Sequence, residues 1–76
     1  MLNQVILVGR VVEIIGTMIR LETNSATVPV FCANLSLERV ELGTTLGVKA
    51  RLEFDNEEVY VTAEKMTFIN MNREEE

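Results

Sequence analysis

Apolar and polar side chains alternate with a period of two along much of this 76-residue chain, and that period is the geometry of a β-strand. In residues 17–23 the alternation places Thr17, Ile19 and Leu21 on one face. A second alternating run, residues 46–54, hides a set of apolar side chains: Val48, Ala50, Leu52 and Phe54. Both runs predict strands with one buried and one exposed face.

Two further segments are extended but less regular. Residues 3–12 are a nearly continuous β-branched run without a helical period, which predicts a strand buried on both faces. Gly9 within this run indicates a bulge or a sharp bend. Residues 26–33 predict another strand, with Cys32 on its inward face, and Pro29 indicates that part of this strand lies at a sheet edge or a bulge.

The period lengthens from two to about four between residues 36 and 43, which predicts a two-turn helix. Ser36 is the expected N-cap and Gly43 the expected end. Leu37, Val40 and Leu42 would then face inward.

A short hairpin turn is predicted at residues 55–57, where Asp-Asn-Glu separates the fourth strand from a fifth. The fifth strand extends to residue 69 if the chain bends near Ala63 and Glu64. Phe54 and Phe68 are expected in the core.

The predicted order of elements is three strands, a short helix and two strands. This order matches the oligonucleotide/oligosaccharide-binding (OB) fold, in which strands 2 and 3 and the adjoining loops hold ligands. We therefore predict an all-β protein: a five-stranded OB-fold Greek-key barrel with one short helix between strands 3 and 4. An SH3-like barrel is the alternative of similar size, but it would not place a helix at this point. Residues 1–72 are expected to form this single domain, and residues 73–76 a short acidic tail.

The residue types limit the chemistry. The chain has no histidine and one cysteine, so neither an internal disulfide nor a thiolate or imidazole metal site is expected. No nucleophile with a paired base and no phosphate-binding glycine loop is visible, so we expect no enzyme activity, no cofactor and no small-molecule substrate. The longest uncharged apolar run, Val5–Gly9, is far shorter than a membrane span of about 20 residues. A cytoplasmic protein is predicted.

Three segments resemble the bacterial single-stranded DNA-binding protein family. Residues 1–10 (MLNQVILVGR) are similar to the opening of that family, residues 42–52 (LGTTLGVKARL) to its fourth strand, and residues 59–69 (VYVTAEKMTFI) to its closing strand. The resemblance implies single-stranded DNA binding in replication and repair, with RNA as a possible ligand. It also implies a homo-oligomer, a dimer or tetramer, with strand 1 at the interface. A chain this short buries only about 60% of its unfolded surface, which also favours oligomerisation.

Six residues are candidates for a nucleic-acid site. Four basic side chains on outward strand positions would contact phosphates, because a strand spaces such groups about 7 Å apart: Arg10, Arg20, Lys49 and Arg51. Two aromatic side chains at outward positions would stack on bases: Phe31 and Tyr60. The alternative is a solvated strand face, with Glu22 and Glu53 as ionic partners, and a dimer contact made by the aromatic residues.

Two functions follow from these residues. The first is binding of single-stranded DNA, without catalysis, on one face of the barrel. The second is a protein-interaction or assembly module that has lost nucleic-acid binding. The second is favoured by the absence of tryptophan, by the short turn at residues 55–57 and by the formal net charge of −5, from 7 basic and 12 acidic residues. The family's acidic tail ending in Pro-Phe is also missing, so recruitment of replication partners is not expected.

Overall fold

Five strands contain most of the residues that the computed structural model describes, 3–69. They are β1 (Gln4–Ile15), β2 (Met18–Glu22), β3 (Thr27–Phe31), β4 (Thr45–Asp55) and β5 (Glu58–Phe68). The strands form a closed barrel in the order β1, β2, β3, β5, β4. Neighbouring strands are antiparallel, except that β3 and β5 run parallel and pair through Phe31 and Thr62. This is the Greek-key arrangement of an OB barrel, and the predicted fold is confirmed.

One row of paired residues runs around the whole barrel. The row starts at Ile15, near the end of β1, and ends at Gln4, near the start of the same strand. Between them its members are Met18, Phe31, Thr62 and Arg51, each paired with the next. A closed barrel requires this stagger, because its strands are tilted against the barrel axis. The side chains of the row point away from the core and belong to the outer surface.

Most of the core consists of apolar side chains at alternate strand positions, as the period of two predicts, and Cys32 and Val40 join it from the segment between β3 and β4. Ten residues are buried in it: Val11, Ile19, Leu21, Val30, Cys32, Val40, Leu46, Val48, Ala50 and Ala63. Full burial of one large aliphatic side chain contributes about 1.5–3 kcal/mol to folding. The predicted inward position of Cys32 is confirmed.

Residues 36–43 form turns and no helix, so the predicted helix between strands 3 and 4 is wrong. The Val40 N–H donates a hydrogen bond to the Leu37 carbonyl at 3.1 Å, which closes one turn. The Gly43 N–H instead donates to the Val11 carbonyl on β1 at 2.8 Å. An isolated eight-residue helix is unstable, whereas this loop buries Val40 and is bonded to β1.

β1 exposes one of its faces, contrary to the predicted burial of both. Ile6 is 76% exposed and Val8 is also exposed, whereas Val5 and Leu7 are half-buried against the core. A continuous apolar run therefore does not distinguish a strand covered on both faces from one with an apolar outer face.

Gly9 has a different role from the predicted bulge. A Cβ atom at this position would lie 2.6 Å from the Glu22 carbonyl oxygen, so glycine allows β1 and β2 to approach closely. The irregularity of β1 comes later, where its pairing with β2 shifts between Val11 and Glu13.

Phe54 and Phe68 do not lie in the core, which corrects a second prediction. Phe54 is 70% exposed and Phe68 is 48% exposed. Both have inward parity, since they pair with Val59 and Leu46, respectively. They lie at opposite ends of the β4–β5 hairpin, where the strands extend past the packed core.

Three local predictions are confirmed. Pro29 lies on an edge of the sheet: it pairs with Arg20 of β2, while the pairing of β3 with β5 is at Phe31. The β4–β5 turn consists of residues 56 and 57. The bend near Ala63 and Glu64 is a β-bulge at Glu64, where the β4–β5 register shifts.

Replacing Glu57 with glycine is expected to raise the free energy of unfolding by about 1 kcal/mol. Asn56 and Glu57 have φ values of 49° and 71°, and a left-handed conformation at both central residues defines a type I′ turn, which favours Asn-Gly. Urea unfolding measures the effect. Glu57→Gln removes the same charge but keeps the Cβ atom, and equal stabilisation by both variants would contradict the conformational explanation.

Candidate nucleic-acid interface

Phe31 and Tyr60 form an aromatic pair on the outer surface of the barrel. Their ring centroids are 5.7 Å apart and their planes meet at 76°, an edge-to-face contact. β3 supplies Phe31 and β5 supplies Tyr60, and both side chains are half-buried. Thr62, the β5 partner of Phe31, lies two residues after Tyr60, so the rings meet at the seam between the two strands. The structure thus brings the two aromatic candidates together.

Two tight turns border the aromatic pair. The β1–β2 turn is formed by Gly16 and Thr17, and Met18, which follows it, pairs with Phe31. The β4–β5 turn precedes Tyr60 by a few residues. In OB folds the ligand surface is on strands 2 and 3 and the loops next to them. The aromatic pair is at the edge of this surface, and the turns beside it are too short to close over a ligand.

Arg20 and Arg51 flank the aromatic pair. Arg20 pairs with Pro29, which precedes Phe31 by two residues, so Arg20 is a diagonal neighbour of Phe31 at about 7–8 Å. On the other side, Arg51 pairs with Thr62 and is two strands from Phe31, about 10 Å away. A basic side chain is therefore available on each side of the rings.

Both flanking arginines form ion pairs. Arg20 Nε donates to Glu13 Oε1 at 2.7 Å, and the Arg51 guanidinium lies 3.1 Å from Glu53 and 3.2 Å from Glu64. These side chains are substantially exposed. Exposed ion pairs contribute about 0–1 kcal/mol each, so a phosphate group competes with these carboxylates at small cost.

Arg10 lies outside this group. It forms an exposed ion pair with Glu22 at 2.9 Å. The pair borders an open groove of about 380 Å³, whose remaining lining residues are Val8, Gly9, Thr23, Asn24 and Thr45. Arg10 and Arg20 thus belong to two separate ion pairs along the β1–β2 ladder.

Lys49 is exposed on β4 and pairs with Ile6 of β1 on one side and with Lys65 of β5 on the other. Within residues 3–69 neither lysine forms an ion pair. Lys65 was not among the sequence candidates. The period of two did not reveal it, because the bulge at Glu64 shifts the register and brings the two lysines opposite each other.

Acidic groups surround the aromatic pair. The Tyr60 hydroxyl donates a hydrogen bond to Glu58 Oε1 at 2.7 Å, and Glu53 is the β4 partner of Tyr60. The hydrogen bond with Glu58 and the negative charge of that carboxylate raise the pKa of Tyr60, so the phenol is neutral at physiological pH. Residues 3–69 contain six basic and nine acidic side chains, since one basic and three acidic residues lie in 73–76.

Three further observations concern metal binding, thiol chemistry and membrane-spanning helices in the described part of the chain. Residues 3–69 contain no group of three or more histidine, cysteine, aspartate or glutamate side chains that could hold a metal ion. Burial raises the pKa of the Cys32 thiol, which lowers its reactivity. No helix within the same residues is long and apolar enough to cross a membrane.

Comparison with known proteins identifies no family. No family model matches the chain, and neither does any curated protein. A solved structure is similar to it, that of the hypothetical protein ygiW from E. coli, with 19% sequence identity and a TM-score of 0.69. The similarity covers 87% of this chain and 74% of that chain. At this level of identity the comparison shows the fold alone, and it supports the OB-type barrel.

Proposed function

We propose that this protein binds single-stranded DNA on the outer face of its barrel, by stacking bases on Phe31 and Tyr60. The observation that carries the proposal is the half-buried aromatic pair on the outer surface, between two arginines and at the edge of the OB ligand surface. Stacking of a base on an aromatic side chain contributes about 1–3 kcal/mol and tolerates any sequence. Arg20 and Arg51 supply the phosphate contacts, and Arg10 and Lys49 extend the basic track along β1 and β4.

The affinity of one barrel is expected to be low and sensitive to salt. Arg20 and Arg51 must break their ion pairs with carboxylates before they contact a phosphate, and the acidic side chains nearby repel the DNA backbone. Several linked sites compensate for weak single sites. A homo-oligomer with β1 at its interface therefore forms part of the proposal, and the exposed Ile6 and Val8 support it.

Titration with oligo-dT tests the proposal. Tyr60 is the only tyrosine and the chain has no tryptophan, so the tyrosine fluorescence comes from Tyr60 alone, and stacking of a base on it is expected to quench that fluorescence. Phe31→Ala and Tyr60→Ala should each raise the Kd by about 5- to 150-fold, the equivalent of 1–3 kcal/mol. Anisotropy of a labelled oligonucleotide at low salt measures the Kd of every variant.

Phe68→Ala is the matched control, since Phe68 is an exposed aromatic residue of β5 at the far end of the β4–β5 hairpin from Tyr60. Its Kd should equal that of the unmodified protein. The proposal fails if oligo-dT does not bind at low salt and high protein concentration, or if Phe31→Ala and Phe68→Ala bind equally well.

The second candidate function is a protein-interaction module without nucleic-acid binding. The acidic side chains around the aromatic pair favour it. Glu58 accepts a hydrogen bond from Tyr60, and Glu53 is the strand partner of Tyr60 and the ionic partner of Arg51. The titration with oligo-dT distinguishes the two functions, since this module would show neither quenching of Tyr60 nor a change in anisotropy.

A further inference from the structure

Two exposed apolar surfaces on this barrel carry opposite charge. The first, the basic strip, consists of Ile6 and Val8 on β1 together with Lys49 and Lys65. Ile6, Lys49 and Lys65 are consecutive partners across three strands. The strip therefore places an apolar ridge directly beside two positive charges.

The second surface, the acidic tip, is the end of the β4–β5 hairpin. Phe54 and Val59 are paired there and both are exposed. Three acidic residues at the turn adjoin them: Asp55, Glu57 and Glu58. The tip has the same combination as the basic strip, apolar side chains next to charges, but with the opposite sign.

We propose that the acidic tip of one copy of this chain docks on the basic strip of a second copy, so that the molecules associate head to tail. Phe54 and Val59 would cover Ile6 and Val8, while the carboxylates of the tip approach the two lysines. Complementary charge of this kind selects the partner and its register. A symmetric contact of strip with strip would oppose lysines to lysines, and a contact of tip with tip would oppose acids to acids.

The two surfaces cannot meet within one molecule. Lys49 and Asp55 lie on the same strand, six positions and about 20 Å apart. A contact between different surfaces of identical chains is heterologous and forms rings or open chains. The strip shares Lys49 with the proposed DNA-binding track, but neither surface contains Phe31 or Tyr60. Association is measured without nucleic acid, so this inference and the proposed function can fail separately.

Sedimentation velocity in the absence of nucleic acid tests the proposal. At low salt the protein is expected to sediment above its monomer mass of 8.6 kDa, and to return towards the monomer as salt is added. The strip variant, Lys49→Glu with Lys65→Glu, reverses the charge of the strip. The tip variant, Phe54→Ser with Val59→Ser, removes the apolar residues of the tip. Each double variant should weaken association by about tenfold or more.

A 1:1 mixture of the two double variants gives the decisive result. The first variant has an intact tip and the second an intact strip, so a head-to-tail interface predicts a two-chain complex in the mixture and no longer assembly. Each variant alone should be close to monomeric. Arg39→Glu, an exposed charge reversal in the loop between β3 and β4, is the control and should associate like the unmodified protein.

Several results would overturn the inference. A monomer at all concentrations and low salt refutes it, as does a mixture that contains no heterodimer. Full association in the tip variant would show that the tip is not part of the interface and would indicate a symmetric contact through β1. If Glu74→Gln, Glu75→Gln and Glu76→Gln together abolish association, the acidic tail is the segment that occupies the strip. Thermal unfolding of each variant establishes that the barrel is intact.

Discussion

Replacing Gly9 with alanine is expected to destabilise the barrel by about 3 kcal/mol, at the upper end of the usual cost of overpacking. The added Cβ atom would lie 2.6 Å from the Glu22 carbonyl oxygen and 3.1 Å from its carbon. Both are backbone atoms of β2, so no side chain can rotate away and the two strands must separate. A domain of this size has a total stability of roughly 4–11 kcal/mol. Urea unfolding followed by circular dichroism measures the loss.

Gly47→Ala is the matched control for this prediction. Gly47 also lies inside a strand, but a Cβ atom there would lie 3.5 Å from the Cδ1 atom of Ile69, an ordinary van der Waals contact. The substitution should be neutral or slightly stabilising, because alanine loses less backbone entropy on folding than glycine. Equal destabilisation by the two variants would mean that the close approach at Gly9 is not the cause.

Leu46→Ala is expected to lower the free energy of unfolding by about 2–5 kcal/mol. Leu46 is fully buried in the core, so the shorter side chain leaves a cavity in addition to the lost transfer free energy. Leu42→Ala makes the same chemical change four positions earlier, at a side chain that is 67% exposed. Its effect should stay within about 0.5 kcal/mol. A large loss at Leu42 would support the inward helix position that the sequence predicted and the structure does not show.

The elements that were predicted correctly depend on local chemistry. A period of two identified the strands, and the Asp-Asn-Glu segment identified the hairpin turn at residues 55–57. Pro29 indicated a sheet edge because a proline cannot donate a hydrogen bond to a neighbouring strand. Each of these signals lies within a few residues of its effect.

The predictions that were wrong concern residues whose burial or conformation depends on distant parts of the barrel. The parity of Phe54 and Phe68 was correct, but parity does not reveal that β4 and β5 continue past the packed core. For residues 36–43 the apolar spacing fits a helix, yet the bond from Gly43 to Val11 of β1 depends on a contact that the sequence does not show.

Register is the main reason why the charge arrangement could not be predicted. Counting back from the β4–β5 turn pairs Lys49 with Glu64, which would be an ion pair. Because of the bulge, Glu64 has no partner in the β4–β5 register, and its carboxylate lies 3.2 Å from the Arg51 guanidinium. Lys49 is paired with Lys65 instead. One extra residue therefore converts a neutral position into a basic one.

The aromatic pair shows a similar limit. The alternation of each strand placed Phe31 and Tyr60 on outer faces, and this was sufficient to predict both as site residues. Their contact arises at the parallel seam between β3 and β5, and neither strand carries a local signal for that pairing.

The division of β1 between two neighbours has a consequence for folding. Its second half pairs with β2, which follows directly, but its first half pairs with β4, so that Gln4 must find Arg51. Such distant pairing loses loop entropy before it gains contacts, and barrels of this kind refold in milliseconds to seconds. Until β4 pairs with β1 during folding, residues 4–8 form an unpaired apolar strand edge that other chains can bind. Refolding at high protein concentration is thus the condition under which this small barrel is most exposed to aggregation.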